Sequence, residues 1–366
     1  MSRYCAENER LKHEYISYLR DAKGKQQASI DSALRAIARF EASTGLKPFR
    51  KFRIEQVRKF REDLRDATGP TGEPLSASTI IATLRQAQDF FVWLSREPGF
   101  RKSINDNDIM HFTPSERDNR IASARRERWI PEVDDVRRAV DAVPEDTPIA
   151  KRDRALLAFA LVSGARDGAL RTLRLKHVDF TARSVFHDAR EVATKNGKTF
   201  KSFFFPVGDD LAQIVSDYVA FLRDGLHFGP DDPLFPSTQV GHGEHRDFQA
   251  VGLSREPWAT TEPIRRIFRE AFTNAGLPYV NPHSFRKTIA RLGQRLCKTP
   301  ESWKAWSQNM GHESEATTFV GYGQVASERQ AQIIRELTGS RITNALDPAL
   351  VETLKTALAL ATGKEA

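Results

Sequence analysis

The sequence predicts a mainly α fold with a small antiparallel sheet: a helical N-terminal bundle followed by a mixed α+β unit. Three observations predict it. The chain has 366 residues, more than a single core usually organises, so two domains are expected. Its first third repeats apolar residues at three- and four-residue spacing, the period of a helix. Beyond residue 130 helical stretches are interrupted by an alternating apolar run and an Asn-Gly pair, the marks of a hairpin.

Taken in order, Ile30, Ala33, Leu34, Ile37 and Phe40 form the first stripe, and Gly45 is its stop. Ile54, Val57, Phe60 and Leu64 form the second, which breaks at Gly69-Pro70. The third follows the Ser76–Thr79 cluster through Ile80, Leu84, Ala87, Phe91 and Leu94 to Pro98-Gly99. Residues 115–128 carry Arg117, Arg120, Arg125, Arg126 and Arg128 with few apolar anchors; a solvated linker and a basic strap for DNA both fit, and the domain boundary is placed there.

In the second domain, Leu156, Leu157, Ala160 and Leu161 predict a buried helix stopping at Gly164. Residues 191–205 read as a hairpin turning at Lys195-Asn196-Gly197-Lys198, with Phe203, Phe205 and Val207 alternating on the returning strand. Residues 236–257 read as a loop, being rich in Gly, His and Ser. Ile264, Ile267, Phe268, Ala271 and Phe272 make another core-facing helix, ended by Gly276. The next helix opens with Asn281 as N-cap and Pro282 in the first position, and its core stripe is Phe285, Ile289, Leu292 and Leu296.

The composition excludes several classes. Lys and Arg number 56 against 48 Asp and Glu, a net charge of +8, which suits a polyanionic partner or a mixed solvated surface. No stretch has the length and apolarity of a membrane span, and residues 1–20 are charged throughout, unlike a signal peptide. Cys5 and Cys297 are too few for a disulfide framework or a four-cysteine zinc site, which points to a reducing, cytoplasmic compartment. His242 and His245 are three apart, a chelating spacing, but they stand in the expected loop without further ligands, so no metal is expected. No Gly-x-x-x-x-Gly-Lys-Ser/Thr stretch is present, which argues against an ATP motor.

Five segments carry chemistry. His283 and Arg286 lie three apart in the first turns of a helix, where unpaired N–H groups favour an anion, so a phosphate could be held there; a pair of surface residues is the plainer alternative. Ser163-Gly164-Ala165-Arg166 puts an arginine just past a helix stop. Met310-Gly311-His312 offers a histidine that could cap a helix end, and Tyr322 lies between Gly321 and Gly323, where the backbone is permissive. Lys195 stands beside the Asn-Gly turn.

In this order the segments resemble the tyrosine recombinase (phage integrase) family. Ser-Gly-Ala-Arg166, followed by a Leu-rich helix and His177-Val178-Asp179-Phe180, is similar to its first arginine box. Lys195 resembles its mobile lysine turn, His283-Ser284-Phe285-Arg286 its His-x-x-Arg box, Met310-Gly311-His312 its Leu-Gly-His box, and Tyr322 its nucleophile. Phe90-Phe91-Val92-Trp93-Leu94 looks like a helix end of its core-binding domain, so the resemblance runs over residues 10–335. Three features depart from the pattern: His312 and Tyr322 are ten apart, Ala169 stands where an acidic residue is common, and Met310 replaces Leu.

The resemblance implies a core-binding domain over 1–114, a basic linker over 115–128, a catalytic domain over 129–335 and a helical tail over 336–366. The two domains would form a C-shaped clamp on double-stranded DNA. Tyr322 would be the nucleophile, Arg166 and Arg286 the phosphate clamp, Lys195 the general acid with Lys198 as the alternative, and His283 the proton acceptor or a phosphate contact. His312 would bond a non-bridging oxygen. The product of the first step would be a 3′-phosphotyrosine and a free 5′-hydroxyl, made without cofactor, ATP or metal. Four protomers would assemble on two DNA sites, with accessory DNA-bending proteins as further partners, in the nucleoid. No additional N-terminal DNA-binding arm is expected. The tail stripe Leu346, Leu350, Leu354 and Leu358 fits packing on its own domain or on a neighbouring protomer. Strand breakage and resealing like a type IB topoisomerase, or silent DNA binding on the same fold, are the alternatives.

Overall fold

The computed structural model describes residues 4–70, 72–123, 129–242, 248–312 and 352. It divides into two compact units at Glu127/Arg128. The first unit is helical. Helix α1 (Ala6–Ser17), which has no counterpart in the apolar stripes of the sequence, runs on into a π turn over Tyr18–Ala22. It is fixed by a buried side chain: Asn8 donates through Nδ2 to Glu41 Oε1 (2.9 Å) and Lys47 O (3.1 Å) and accepts from the Phe49 amide (2.9 Å). All of the Asn8 amide is thereby satisfied, which makes its burial tolerable.

Helices α2 (Gln27–Thr44), α3 (Ile54–Asp66) and α4 (Ala77–Leu94) follow the three predicted stripes. Their ends follow the predicted signals: Gly45 adopts the left-handed conformation, and Ser76 Oγ accepts from the Thr79 amide. Short helices α5 (Asp106–Met110) and α6 (Glu116–Ser123) complete the unit. Helix α6 thus occupies most of the stretch expected to be linker, held by Arg61–Asp118 and by Arg85 Nη2 donating to Asn119 Oδ1. The core is an aromatic cluster in which Phe40, Phe52, Phe60, Phe91 and Phe112 meet in stacked, tilted and edge-on pairs.

The second unit surrounds α8 (Pro148–Ser163), which follows α7 (Val133–Asp141) and is buried on every side from Ala155 to Ser163. Such all-round burial explains why its sequence lacks a polar face. After the left-handed Gly164 comes α9 (Asp167–Thr172). A three-stranded antiparallel sheet is built from β1 (Val178–Asp179), β2 (Ser184–His187) and β3 (Phe200–Phe203), in that order. Helix α10 (Asp209–Ala220) packs on α8, and after the second sheet α11 (Glu262–Asn274), α12 (Pro282–Leu296) and α13 (Pro300–Asn309) follow.

Four expectations are corrected here. The described residues of 236–257 are not a loop: β4 (Pro236–His242) and β5 (Phe248–Pro257) pair antiparallel with two register shifts. The ladder is secured at its base by buried Arg152, which donates to Pro236 O and Thr238 Oγ1 and lies over the Trp258 ring. Side chains of 242–248, and so the His242/His245 pair, lie outside the described residues. The hairpin at Lys195 is wider than expected, because its outgoing strand is Ser184–His187 and not a segment starting at 191. Its inward side chain on the return is Ser202, while Phe203 is 53% exposed; Phe205 and Val207 are buried but lie past the end of the strand. On α12, Leu296 is half exposed, since the buried face turns through Ile289, Ala290 and Gly293 instead.

Candidate active site

The site begins with the turn after α8. A Cβ at Gly164 would come within 3.0 Å of the Phe205 ring and 3.2 Å of Ile289 Cδ1, and its φ of +63° belongs to the left-handed region. Only glycine satisfies both, and the turn carries Arg166 to the start of α9.

Arg286 ties the second half of the site to that turn. Asn281 caps α12 by accepting from the Ser284 amide (3.2 Å), and Phe285 drops into the core. Arg286 is only 3% exposed, so it is not a surface residue. Its guanidinium donates to Gly164 O through Nη1 and to Met310 O through Nη2 (2.7 Å), and Nη2 lies 3.0 Å from His312 Nε2. One side chain thus joins the Arg166 turn to the Met310-Gly311-His312 segment at the end of α13. A buried charge held this way is fixed in position before any ligand arrives.

Lys195 closes the other side. Asn196 and Gly197 both have positive φ, 60° and 64°, which makes the tight turn that the Asn-Gly pair predicts. Lys195, Arg166 and Arg286 line one small pocket together with Gly164, His187 and Met310.

The electrostatics agree with that grouping. Burial, then the charges of Arg286, Arg166, His283 and Lys195, hold His312 down to about 3. His283 is held to about 4 by loss of hydration and by Arg286, Lys287 and Arg166. Five sequence-predicted residues, Arg166, Lys195, His283, Arg286 and His312, therefore share one strongly positive neighbourhood. Such a site is built for an anion with several acceptor oxygens. Tyr322 and the tail lie outside the described residues.

Sequence reasoning passed over one member of the pocket. His187, at the end of β2, is 2% exposed, stacks on Phe200 at 4.3 Å and 6°, and has Nε2 3.0 Å from Ser202 Oγ. Its signal is faint, a single histidine after the apolar pair Val185-Phe186. His177, by contrast, is structural: its Nδ1 accepts the Arg174 amide at 2.9 Å. Among the described residues no His/Cys/Asp/Glu cluster suits a metal, and no helix is long and apolar enough to cross a membrane.

Residues 131–329 match the family model described as Phage integrase family, more than half of the chain. The chain is 28% identical over 211 residues to y4rF of Sinorhizobium fredii, designated an integrase/recombinase; the match takes in 56% of this chain and 43% of that longer one. It is 26% identical over 276 residues to the tyrosine recombinase XerD of Neisseria meningitidis, covering 75% of this chain and 81% of XerD. Among solved structures, a lambda integrase dimer bound to a COC′ core site superposes with a TM-score of 0.59 at 15% identity, covering 93% of this chain and 80% of that one.

Proposed function

The chain belongs to the phage integrase family, the tyrosine-type site-specific DNA recombinases, and from that premise we propose how its own residues cut and rejoin DNA. The observation that carries the reading is Arg286, buried and bonded at once to Gly164 O, Met310 O and His312, with Arg166 and Lys195 on the same pocket.

A scissile phosphate sits between Arg166 and Arg286, whose guanidinium groups stabilise charge on the pentavalent phosphorus. The Tyr322 oxygen attacks phosphorus as the P–O5′ bond breaks. His283 takes the phenolic proton and Lys195 gives one to the leaving 5′-oxygen. His312, steered by Arg286, bonds a non-bridging oxygen. Beside these cations His283 is a weak base, held to about 4. The phosphate neutralises the surrounding cations and so raises its affinity for the proton. The 3′-phosphotyrosine keeps the bond energy, and a 5′-hydroxyl from a partner duplex attacks it, breaking the P–O(Tyr) bond and returning a proton to Tyr322. No cofactor enters this scheme.

Exchange between two duplexes cuts four strands, and one chain supplies one Tyr322, so the active assembly is a tetramer on two sites. The helical unit acts as core-binding domain and the second unit as catalytic domain. The protein works at chromosomal DNA in the cytoplasm, on a mobile element or its target.

Capture of covalent protein–DNA adducts from cells, with sequencing of the attached DNA, tests the reading. Wild type is expected to yield adducts at one or a few sequences and Tyr322→Phe none. Adducts surviving in Tyr322→Phe remove the nucleophile assignment. Captured sites that give no joint molecules between two duplexes turn the reading toward a topoisomerase.

A further inference from the structure

Lys195 is exposed, so its place is set by the backbone that carries it. The connection between His187 and Phe200 is much longer than a tight turn, and strand pairing alone does not fix its middle. The fold holds it just before the lysine. Val192 is buried in the core, and its neighbour Ala193 donates its amide to Thr172 Oγ1 at 2.8 Å. The Thr194 amide turns back on Val192 O at 2.7 Å, so the backbone is directed from Val192 up to Lys195.

Thr172 ends α9, the helix that Arg166 opens. A threonine hydroxyl has one proton to give. Here it points back along the helix, to Gly168 O at 3.1 Å with Ala169 O at 3.4 Å, which leaves a lone pair for the Ala193 amide. The two backbones run so close that a Cβ on Gly168 would stand 3.2 Å from Ala193 O. Arg166, Ala169, Ala193, Thr194 and Lys195 then line one pocket. One hydroxyl therefore ties the helix that begins at the arginine to the segment that delivers the lysine.

We propose that Thr172 is a positioning residue: its hydroxyl holds Ala193 against α9 and so sets where Lys195 stands relative to Arg166. It touches no reacting atom. The contact stands by itself, while its catalytic consequence rests on the roles proposed for Tyr322 and Lys195. Where Lys195 protonates the leaving 5′-oxygen, a displaced lysine slows that proton transfer more than it slows the attack by Tyr322.

The test uses the full chain and the DNA site recovered by adduct capture, in its natural form and with sulfur in place of the bridging 5′-oxygen. In the natural form the P–O5′ bond breaks as Tyr322 attacks phosphorus, and the oxygen takes up a proton. In the sulfur form the P–S bond breaks and its electron pair leaves as a thiolate, which needs no proton. Thr172→Val keeps the shape of the side chain without the hydroxyl, and Thr172→Ser keeps the hydroxyl. On oxygen DNA, Thr172→Val is expected to form adducts about tenfold more slowly than wild type, and Thr172→Ser to stay within about threefold of it. On sulfur DNA the deficit of Thr172→Val is expected to shrink below about twofold, as is that of Lys195→Ala.

An equal deficit of Thr172→Val on both substrates assigns the hydroxyl to the fold or to Arg166 and overturns the proposal; so does wild-type speed on oxygen DNA. If sulfur fails to restore Lys195→Ala, the acid is another group and the catalytic role of Thr172 falls. Hydrogen exchange reads the contact separately. The Ala193 amide is expected to be protected in wild type and Thr172→Ser and to exchange about tenfold faster in Thr172→Val. Unchanged exchange in Thr172→Val overturns the contact. A wild type that forms no adducts removes the recombinase reading and the catalytic role together, while exchange still decides whether Thr172 holds the lysine segment.

Discussion

Arg286 ties the fold to the proposed chemistry through the same atoms. Replacing it with Met leaves Gly164 O and Met310 O without their donor, at a cost on the order of 3 kcal/mol, and removes half of the proposed phosphate clamp. Arg286→Lys keeps a charge but cannot fork between two carbonyls and an imidazole, so it too is expected to lose adduct formation, with a smaller fall in urea midpoint. An Arg286→Lys protein with wild-type adduct yield would show that charge alone suffices. The histidines give a second residue-scale expectation. His187, His283 and His312 lie at about 4, 4 and 3 in the folded protein, below the ordinary 6.5. The unfolded chain therefore takes up protons first as pH falls. Stability is complete above about pH 6.5 and drains away toward pH 4, by up to about 1.4 kcal/mol per pH unit for each of the two buried rings, His187 and His312, and by much less for His283, which is exposed to solvent. Melting temperatures recorded from pH 7 to pH 4.5 are expected to fall, and His187→Phe is expected to flatten part of the slope. A melting temperature constant over that range would mean that the rings are not held neutral by the fold.

At the scale of elements, the lysine turn and the His312 segment are mechanically joined. Asn309, the last residue of α13, seals the free edge of β3: its Oδ1 accepts the Phe203 amide at 2.6 Å and its Nδ2 donates to Phe203 O at 2.8 Å. Phe200 on the same strand fills the space beside Gly311, whose φ is +70°. Gly311→Ala both strains the backbone and pushes on that ring. It is expected to cost on the order of 2 kcal/mol in urea unfolding and to slow cleavage by displacing β3 and its turn. Unchanged midpoint and cleavage would show that the contact relaxes freely. The sequence disclosed the helices because their signals are local: apolar spacing, the Ser76 and Asn281 caps, the Gly45 and Gly164 stops. It also singled out five residues that the structure brings near one another, each by its place in an ordered set of short motifs. Strand partners were less legible. The long connection between His187 and Phe200 hides which segment pairs with β3, and the ladder of β4 and β5 is anchored by Arg152, a residue more than eighty positions away. His187 was missed for the same reason, since its setting comes from Ser202 and Phe200, neither of them its neighbour in sequence.

For the whole molecule, the net charge of +8 becomes informative only through where the cations stand. In the helical unit an open groove is lined by Arg53, Arg96, Arg101 and Lys102, with Asn105 and Asn107 and the two carboxylates Asp106 and Asp108 among them, which leaves the cations in excess. In the second unit Arg166, Lys195 and Arg286 line one pocket. The first arrangement suits a run of backbone phosphates and the second a single phosphate held for reaction, which divides the labour between grip and chemistry. Counterion release then sets two different salt responses. With the captured DNA site as probe, log affinity of the full chain is expected to fall linearly with log salt concentration. Arg101→Ala and Lys102→Ala together are expected to reduce that slope by about 2, while leaving the yield of adducts per bound complex unchanged. Both residues are exposed, so the melting temperature is expected to stay within a degree or two of wild type. An unaltered slope would remove the groove from the DNA interface. A reduced slope with fewer adducts per bound complex would mean instead that the helical unit helps to place the scissile phosphate between Arg166 and Arg286.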